Sequence, residues 1–174
     1  MPLTIRPAVP DDISALRGVM NLAIEELLKP FLTPAQIAAS HAVMGLDTQL
    51  IVDGTYFAVE DDGAIAGCGG WSRRATLFGG DHSAGRDAAL LDPAKDAARV
   101  RAMYTHPDFA RRGVGRMILA ACESAAKADG FVRVELAATA GGEPLYAACG
   151  YRSLDRFRAG PDDLVPLTIM TKAV

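Results

Sequence analysis

Cysteine is scarce in this chain: Cys68, Cys122 and Cys149 are odd in number, far apart and without C-x-x-C spacing. That argues against a disulfide framework and a thiolate zinc site, and for a reducing compartment. Histidine is equally scarce. His41, His82 and His106 show no metal-ligand spacing, so no metal is expected. A basic surplus is missing too: 18 Lys and Arg against 21 Asp and Glu leave a net charge of −3, whereas nucleic-acid binders normally run basic. No run of 18 apolar residues occurs, and the start Met1-Pro2-Leu3-Thr4-Ile5-Arg6 lacks the basic-then-apolar order of a signal peptide. The expectation is a cytoplasmic protein that engages neither membrane nor nucleic acid.

What is present is the composition of a globular protein, 50% hydrophobic and 22% charged over 174 residues, which suits one domain spanning 1–174. Leu3–Arg6 reads as a short strand. A helix follows, capped by Asp11 or Asp12, with Ile13, Leu16, Met20, Ala23, Ile24 and Leu27 on its apolar face and Pro30 as its stop. Thr33, Pro34 and Gln36 have the spacing of a capping box and open a second helix, which fades near Gly45. Thr55–Glu60 and Ala64–Trp71 flank Asp61-Asp62-Gly63 as a hairpin. Arg73–Ala97 has no clear period and is long for a connection, which suits a short helix or a segment that shapes a site.

Val100–Tyr104 reads as a strand and Gly113–Asp129 as an amphipathic helix, with Glu123 and Lys127 in the favourable i, i+4 order. Phe131–Ala138 is a strand with Val132, Val134 and Leu136 on one side. A short helix (about Glu143–Cys149) and the strands Tyr151–Phe157 and Leu164–Lys172 complete the order β-α-α-β-β-β-α-β-α-β-β. This is a mixed α/β pattern with one βαβ unit at Val100–Ala138.

Chemistry concentrates where that unit turns from strand to helix. A loop carrying Arg111, Arg112, Gly113 and Gly115 opens the helix, with Arg116 in its first turn. Unpaired N–H groups at a helix start, a glycine that lets the backbone approach, and guanidinium forks together suit a diphosphate. A tight turn with solvated arginines reads equally well from these residues alone. A Walker A loop is absent, and Arg116 and Ile118 occupy the region where a dinucleotide fingerprint needs its third glycine.

The segment Ala110-Arg111-Arg112-Gly113-Val114-Gly115 resembles the Gln/Arg-x-x-Gly-x-Gly/Ala signature of the GNAT superfamily, the acyl-CoA-dependent N-acetyltransferases, with Ala110 departing at the first position. A later family motif, Asn-x-x-Ala-x-x-Leu-Tyr-x-x-x-Gly-Phe, is similar to Thr139 through Gly142, Leu145-Tyr146 and Gly150-Tyr151, with Thr139 for Asn and Gly142 for Ala. The resemblance covers nearly the whole chain, because the element order also agrees. It implies a mixed, largely antiparallel central sheet with a βαβ acyl-CoA-binding unit, acetyl-CoA as co-substrate and no metal.

By the same resemblance, the backbone of Met103, Tyr104 and Thr105 pairs with the pantetheine arm. The loop Arg111, Arg112, Gly113, Val114, Gly115 and Arg116 holds the diphosphate, and Thr139 stands near the pantetheine. Tyr146, which alone reads as a core tyrosine, matches the tyrosine that protonates the departing thiolate. The implied reaction is direct attack of a primary amine, small-molecule or protein-borne, in a ternary complex, and the implied assembly is a homodimer. Transfer of a larger acyl group and a non-catalytic acyl-CoA sensor are the alternatives.

No general base stands out. Glu25, Glu26, Glu60 and Glu135 read as solvated carboxylates, and His82 and His106 as loop and turn residues; the resemblance implies that water can take the proton, as it does in some members of the family. Trp71, Arg73 and Arg74 are candidates for the acceptor site, and the Arg73–Ala97 connection for selectivity.

Overall fold

The computed structural model describes residues 2–174. Its elements run β1 (Thr4–Pro7), α1 (Ile13–Leu22), α2 (Pro34–Val43), α3 (Thr48–Val52), β2 (Tyr56–Asp61), β3 (Ala64–Ser72), β4 (Ala98–Thr105), α4 (Val114–Ala128), β5 (Arg133–Thr139), α5 (Glu143–Ala148), β6 (Arg152–Ala159) and β7 (Val165–Ala173). The strands form one sheet in the order β1-β2-β3-β4-β5-β7-β6. Only β4 and β5 are parallel, as the crossover through α4 requires; every other neighbour pair is antiparallel. The expected mixed, largely antiparallel sheet is therefore what the chain builds, with one helix more than expected. That helix, α3, has five residues, too few to show a period, and is capped by the Asp47 side chain, which accepts from Gln49 N–H at 3.0 Å.

Alternation along the strands divides the core into two layers. On one face Val59, Ala66, Trp71 and Val100 meet Ile118, Leu119 and Cys122 of α4. On the other Tyr56, Ala58, Cys68 and Tyr104 meet Leu16, Ile24 and Leu50. A smaller cluster joins Ala39 and Val43 of α2 to Val165 and Leu167 of β7.

Local departures from the sequence reading have physical causes. Asp12 does not cap α1; its carboxylate accepts from Arg6 at 2.8 Å and from Val9 N–H. The first helix continues past Leu22 into a wide π turn, Ala23–Leu27, which shifts the buried set to Leu16, Val19, Ala23, Ile24 and Leu28. The capping box on α2 forms as expected, with Thr33 and Gln36 bonding each other's backbone. Glu123 pairs with Lys172 at 2.9 Å across to β7 rather than with Lys127. Val132 is 61% exposed because β5 begins one residue after it, leaving Val134, Leu136 and Ala138 to line the core.

The Arg73–Ala97 connection holds no helix. Its arms pair with each other through Thr76 N–H to Asp87 O and Leu91 N–H to Arg73 O, and a cluster of ion pairs holds it to the body. Arg101 of β4, 3% exposed, donates to Asp47 Oδ2 at 3.1 Å and to Gly79 O at 2.7 Å. Arg86 donates to the other Asp47 oxygen at 2.6 Å, and Arg74 pairs with Asp53 at 2.8 Å. Burial pulls the Arg101 guanidinium below its ordinary pKa, and the Asp47 charge opposes that shift.

Candidate active site

Between β4 and β5 the ladder stops early. Ala98 pairs with Val134 and Arg99 with Glu135, and no register partner follows. The cause lies on β4 itself. Against β3, Tyr104 faces Cys68 and Arg101 faces Gly70, so Ala102 and Met103 together oppose Gly69. Ala102 carries the bulge at φ +50°, and the buried Tyr56 hydroxyl donates to its carbonyl. A side chain at Gly69 would put its Cβ 2.6 Å from Met103 Cγ, so glycine is what lets the bulge lie flat.

The two strands part beyond this point and leave a cavity of about 210 Å³. One wall is β4 from Val100 to Thr105 with Leu136, Ala137 and Thr139 of β5. Gly115, Gly142 and Tyr146 line the cavity as well. Leu27 and Leu28 of the π turn, Met44 after α2, Leu77 and Phe78 of the connection, and Leu167 of β7, beside Thr139, also line it.

Gly115 brings the start of α4 to this cavity. The backbone N–H groups of Arg111 to Arg116 have no acceptor among the described residues, and the first bond of the helix runs from Met117 N–H to Gly113 O. Gly113 is at φ +86° with nothing near the place of a Cβ, so the loop presents bare backbone. Six uncommitted donors beside the positive end of a helix of 15 residues suit an anion.

The side chains of the loop divide. Arg111 has no ion-pair partner among the described residues. Arg112 is engaged, 2.8 Å from Asp61 Oδ2 and over the Phe109 ring, while Arg116 lies 3.5 Å from Cys149 Sγ. Val114 is core, packed beneath the loop, and Gly115 lies against Leu145, where a Cβ would stand 2.5 Å from Cδ2.

Met103, Tyr104 and Thr105 all line the cavity, though the Tyr104 ring points into the core and bonds both Gly45 N–H and Gly45 O. Thr139 ends β5, with its hydroxyl accepting from Gly142 N–H at 3.2 Å. Tyr146 stands half-buried on α5, its hydroxyl 3.7 Å from Met103 Sδ and its ring edge-on to Tyr151. Burial pushes the phenol well above its ordinary pKa, so it is protonated at neutral pH.

No carboxylate or imidazole lines the cavity among the described residues. Glu60 pairs with Arg6, Glu135 with Arg99, and Glu26 with Lys29, while Glu25 lies 3.9 Å from His41. His82 bonds His41 O, and His106 accepts from Asp108 N–H. Trp71 is buried against Phe131, with Arg73 over its ring, and so neither it nor Arg74 reaches the cavity. Burial pushes the Cys68 thiol up to about 12, which disfavours the thiolate form. Lining residues that sequence reasoning did not assign to a site include Leu27, Leu28, Met44, Leu77, Phe78 and Leu167; only the length of the connection signalled Leu77 and Phe78. Among the described residues no group of three or more His, Cys, Asp or Glu could hold a metal ion, and no helix is long and apolar enough to cross a membrane.

The chain is similar to known proteins in sequence pattern and in fold. Residues 17–151 match the model of the acetyltransferase (GNAT) family. A GCN5-related N-acetyltransferase from Rhodopseudomonas palustris superposes with a TM-score of 0.72 at 21% identity, covering 100% of this chain and 97% of its own. PaiA N-acetyltransferase from Thermoplasma acidophilum, solved with coenzyme A, gives 0.69 at 14% identity over 100% of both chains. The putative acetyltransferase yncA from Salmonella typhimurium, solved with acetyl-CoA, gives 0.65 at 18% identity over 99% of this chain and 94% of that one. No curated protein sequence matches the chain.

Proposed function

Because the chain belongs to the GNAT acetyltransferase family, we propose that residues 1–174 form one N-acetyltransferase domain that moves an acetyl group from acetyl-CoA to a primary amine by direct attack. The observation that supports this reading best is the parting of β4 and β5 beside a helix start with uncommitted donors. The donor's diphosphate fits the backbone of Arg111–Arg116 with Arg111 beside it. Its pantetheine arm fits the unpaired edge of β4 at Met103–Thr105, near Thr139. Both relatives solved with coenzyme A or its acetyl ester share the fold.

Acetyl-CoA supplies the electrophilic thioester; the rest is positioning and proton management by the chain. Holding amine and thioester together in the cavity removes much of the entropic barrier. As the C–N bond forms and the C–S bond breaks, Tyr146 gives its proton to the sulfur and recovers one from solvent. The amine must arrive neutral, and its proton goes to water, since no acidic or imidazole side chain lines the cavity. That absence of a base is also the observation that favours the second reading, an acyl-CoA sensor without turnover. A panel of amines with acetyl-CoA, read by free thiol, decides: release supports the transferase, and tight binding without release on any amine selects the sensor.

Acetyl-CoA at 100 times its dissociation constant should stabilise the fold by about 2.7 kcal/mol, a rise in Tm of about 5–10 °C for a chain this long. Coenzyme A should act similarly, because the diphosphate is shared. An unmoved transition with both ligands at millimolar concentration removes the cofactor assignment. Gly113→Asp should weaken acetyl-CoA binding about tenfold or more, by placing a carboxylate where the phosphates approach. A side chain at Gly113 meets no neighbour, but φ +86° strains any residue other than glycine, so the variant should lose about 1–2 kcal/mol of stability and its affinity is compared below its own Tm. Val114→Ala, a core truncation, should cost stability rather than affinity. Equal affinities for Gly113→Asp and wild type, measured by calorimetry, reject the cradle.

A further inference from the structure

The lining that the π turn, the end of α2, the connection and β7 give the cavity carries no formal negative charge. Leu27, Leu28, Met44, Leu77, Phe78 and Leu167 make it up, and among the described residues no Asp, Glu or His joins them. The charged group that does touch the cavity is Arg101, and its guanidinium is turned to Asp47 and Gly79 O. Phe78 is fixed by Phe157, ring centres 5.7 Å apart, so this lining is packed rather than loose. An ammonium entering here would lose water and meet no counter-ion, and a polycation would do so several times over. An aliphatic or aromatic body would bury its surface against these side chains.

Resting on the transferase reading above, we propose that the acceptor is a monoamine carried on an apolar body and taken up as the free base, not a polyamine or a lysine-rich peptide. Selectivity then resides in the π turn, the end of α2 and Leu77–Phe78. Proton loss precedes entry, so the enzyme contributes no basic ionisation of its own.

The test compares 2-phenylethylamine with spermidine. With acetyl-CoA and free-thiol readout, kcat/KM should be at least about 100-fold higher for 2-phenylethylamine, the scale on which a polar site rejects or an apolar pocket selects. Across apolar amines of different basicity, kcat/KM should rise with pH toward each amine's own pKa. Leu77→Glu, with its fold checked by Tm, should move the preference toward spermidine. A readout free of turnover runs in parallel: N-acetyl-2-phenylethylamine should raise the Tm of the coenzyme A-loaded protein, and N-acetylspermidine should not. Preference for spermidine, a common enzyme pKa for all amines, or no stabilisation by the apolar product overturns the proposal. Stabilisation by that product with no turnover on any amine removes the catalytic reading, and with it the acceptor, and leaves only the cavity's preference for an apolar body.

Discussion

Tyr146→Phe should lower the rate of acetyl transfer about 10²–10⁴-fold, the usual span for removing an acid–base group, while acetyl-CoA affinity stays close to wild type. The ring and its edge contact with Tyr151 survive the change. The hydroxyl's contact is Met103 Sδ at 3.7 Å, so its loss should cost less than about 1 kcal/mol of stability. A core tyrosine gives the opposite signature, lost stability with turnover preserved per folded molecule. The pH profile adds a sign. Burial raises the phenol pKa above the ordinary 10.0, which favours the protonated donor. Wild-type activity should therefore show no alkaline fall due to Tyr146 up to about pH 10. Single-turnover measurement on an accepted amine is needed if product release limits the wild type. Unchanged chemistry in Tyr146→Phe would make solvent the proton source.

The largest effect on stability is expected at Asp47. Asp47→Asn preserves shape and an oxygen for the cap of α3, but it leaves Arg101 buried without its counter-ion. Removing one partner of a buried pair typically costs about 3–5 kcal/mol, here a fall in Tm of about 6–20 °C. Arg86 is partly exposed and can turn to solvent, so the penalty falls on Arg101. Arg101→Met on the Asp47→Asn background should recover part of the loss, because an apolar side chain needs no partner. A melting curve of Asp47→Asn within about 2 °C of wild type would show that the ion cluster is not what secures Gly79 and the adjoining Leu77–Phe78 wall.

The seven strands were legible because each carries either alternation or a Gly-containing turn beside it, and every expected strand lies within two residues or so of an observed one. The capping box at Thr33 was legible because its chemistry is contained in four residues. The π turn was not: nothing in Ala23–Leu27 distinguishes five wide residues from four ordinary ones, and the extra width reflects packing onto the sheet. The same holds for Arg112, whose partner Asp61 is 51 positions away, and for Arg101–Asp47, 54 apart. The backbone part of the candidate site could be read from Gly113 and Gly115 because a helix start needs no distant partner. Its apolar wall could not, since Leu27, Met44, Phe78 and Leu167 meet only after the sheet has formed.

Ala102 has a consequence of another kind. A strand with one residue too many cannot keep step with both neighbours, just as an extra half-row in a lattice ends in a dislocation. Arg101 and Ala102, consecutive in the chain, both turn to the α1 side of the sheet, and β4 regains its phase with β3 at Tyr104. The step that β4 keeps with β3 is the step it loses with β5. The cleft is thus an arithmetical remainder of the chain's own numbering. Its position is set by where the surplus residue sits and not by the side chains that later came to line it.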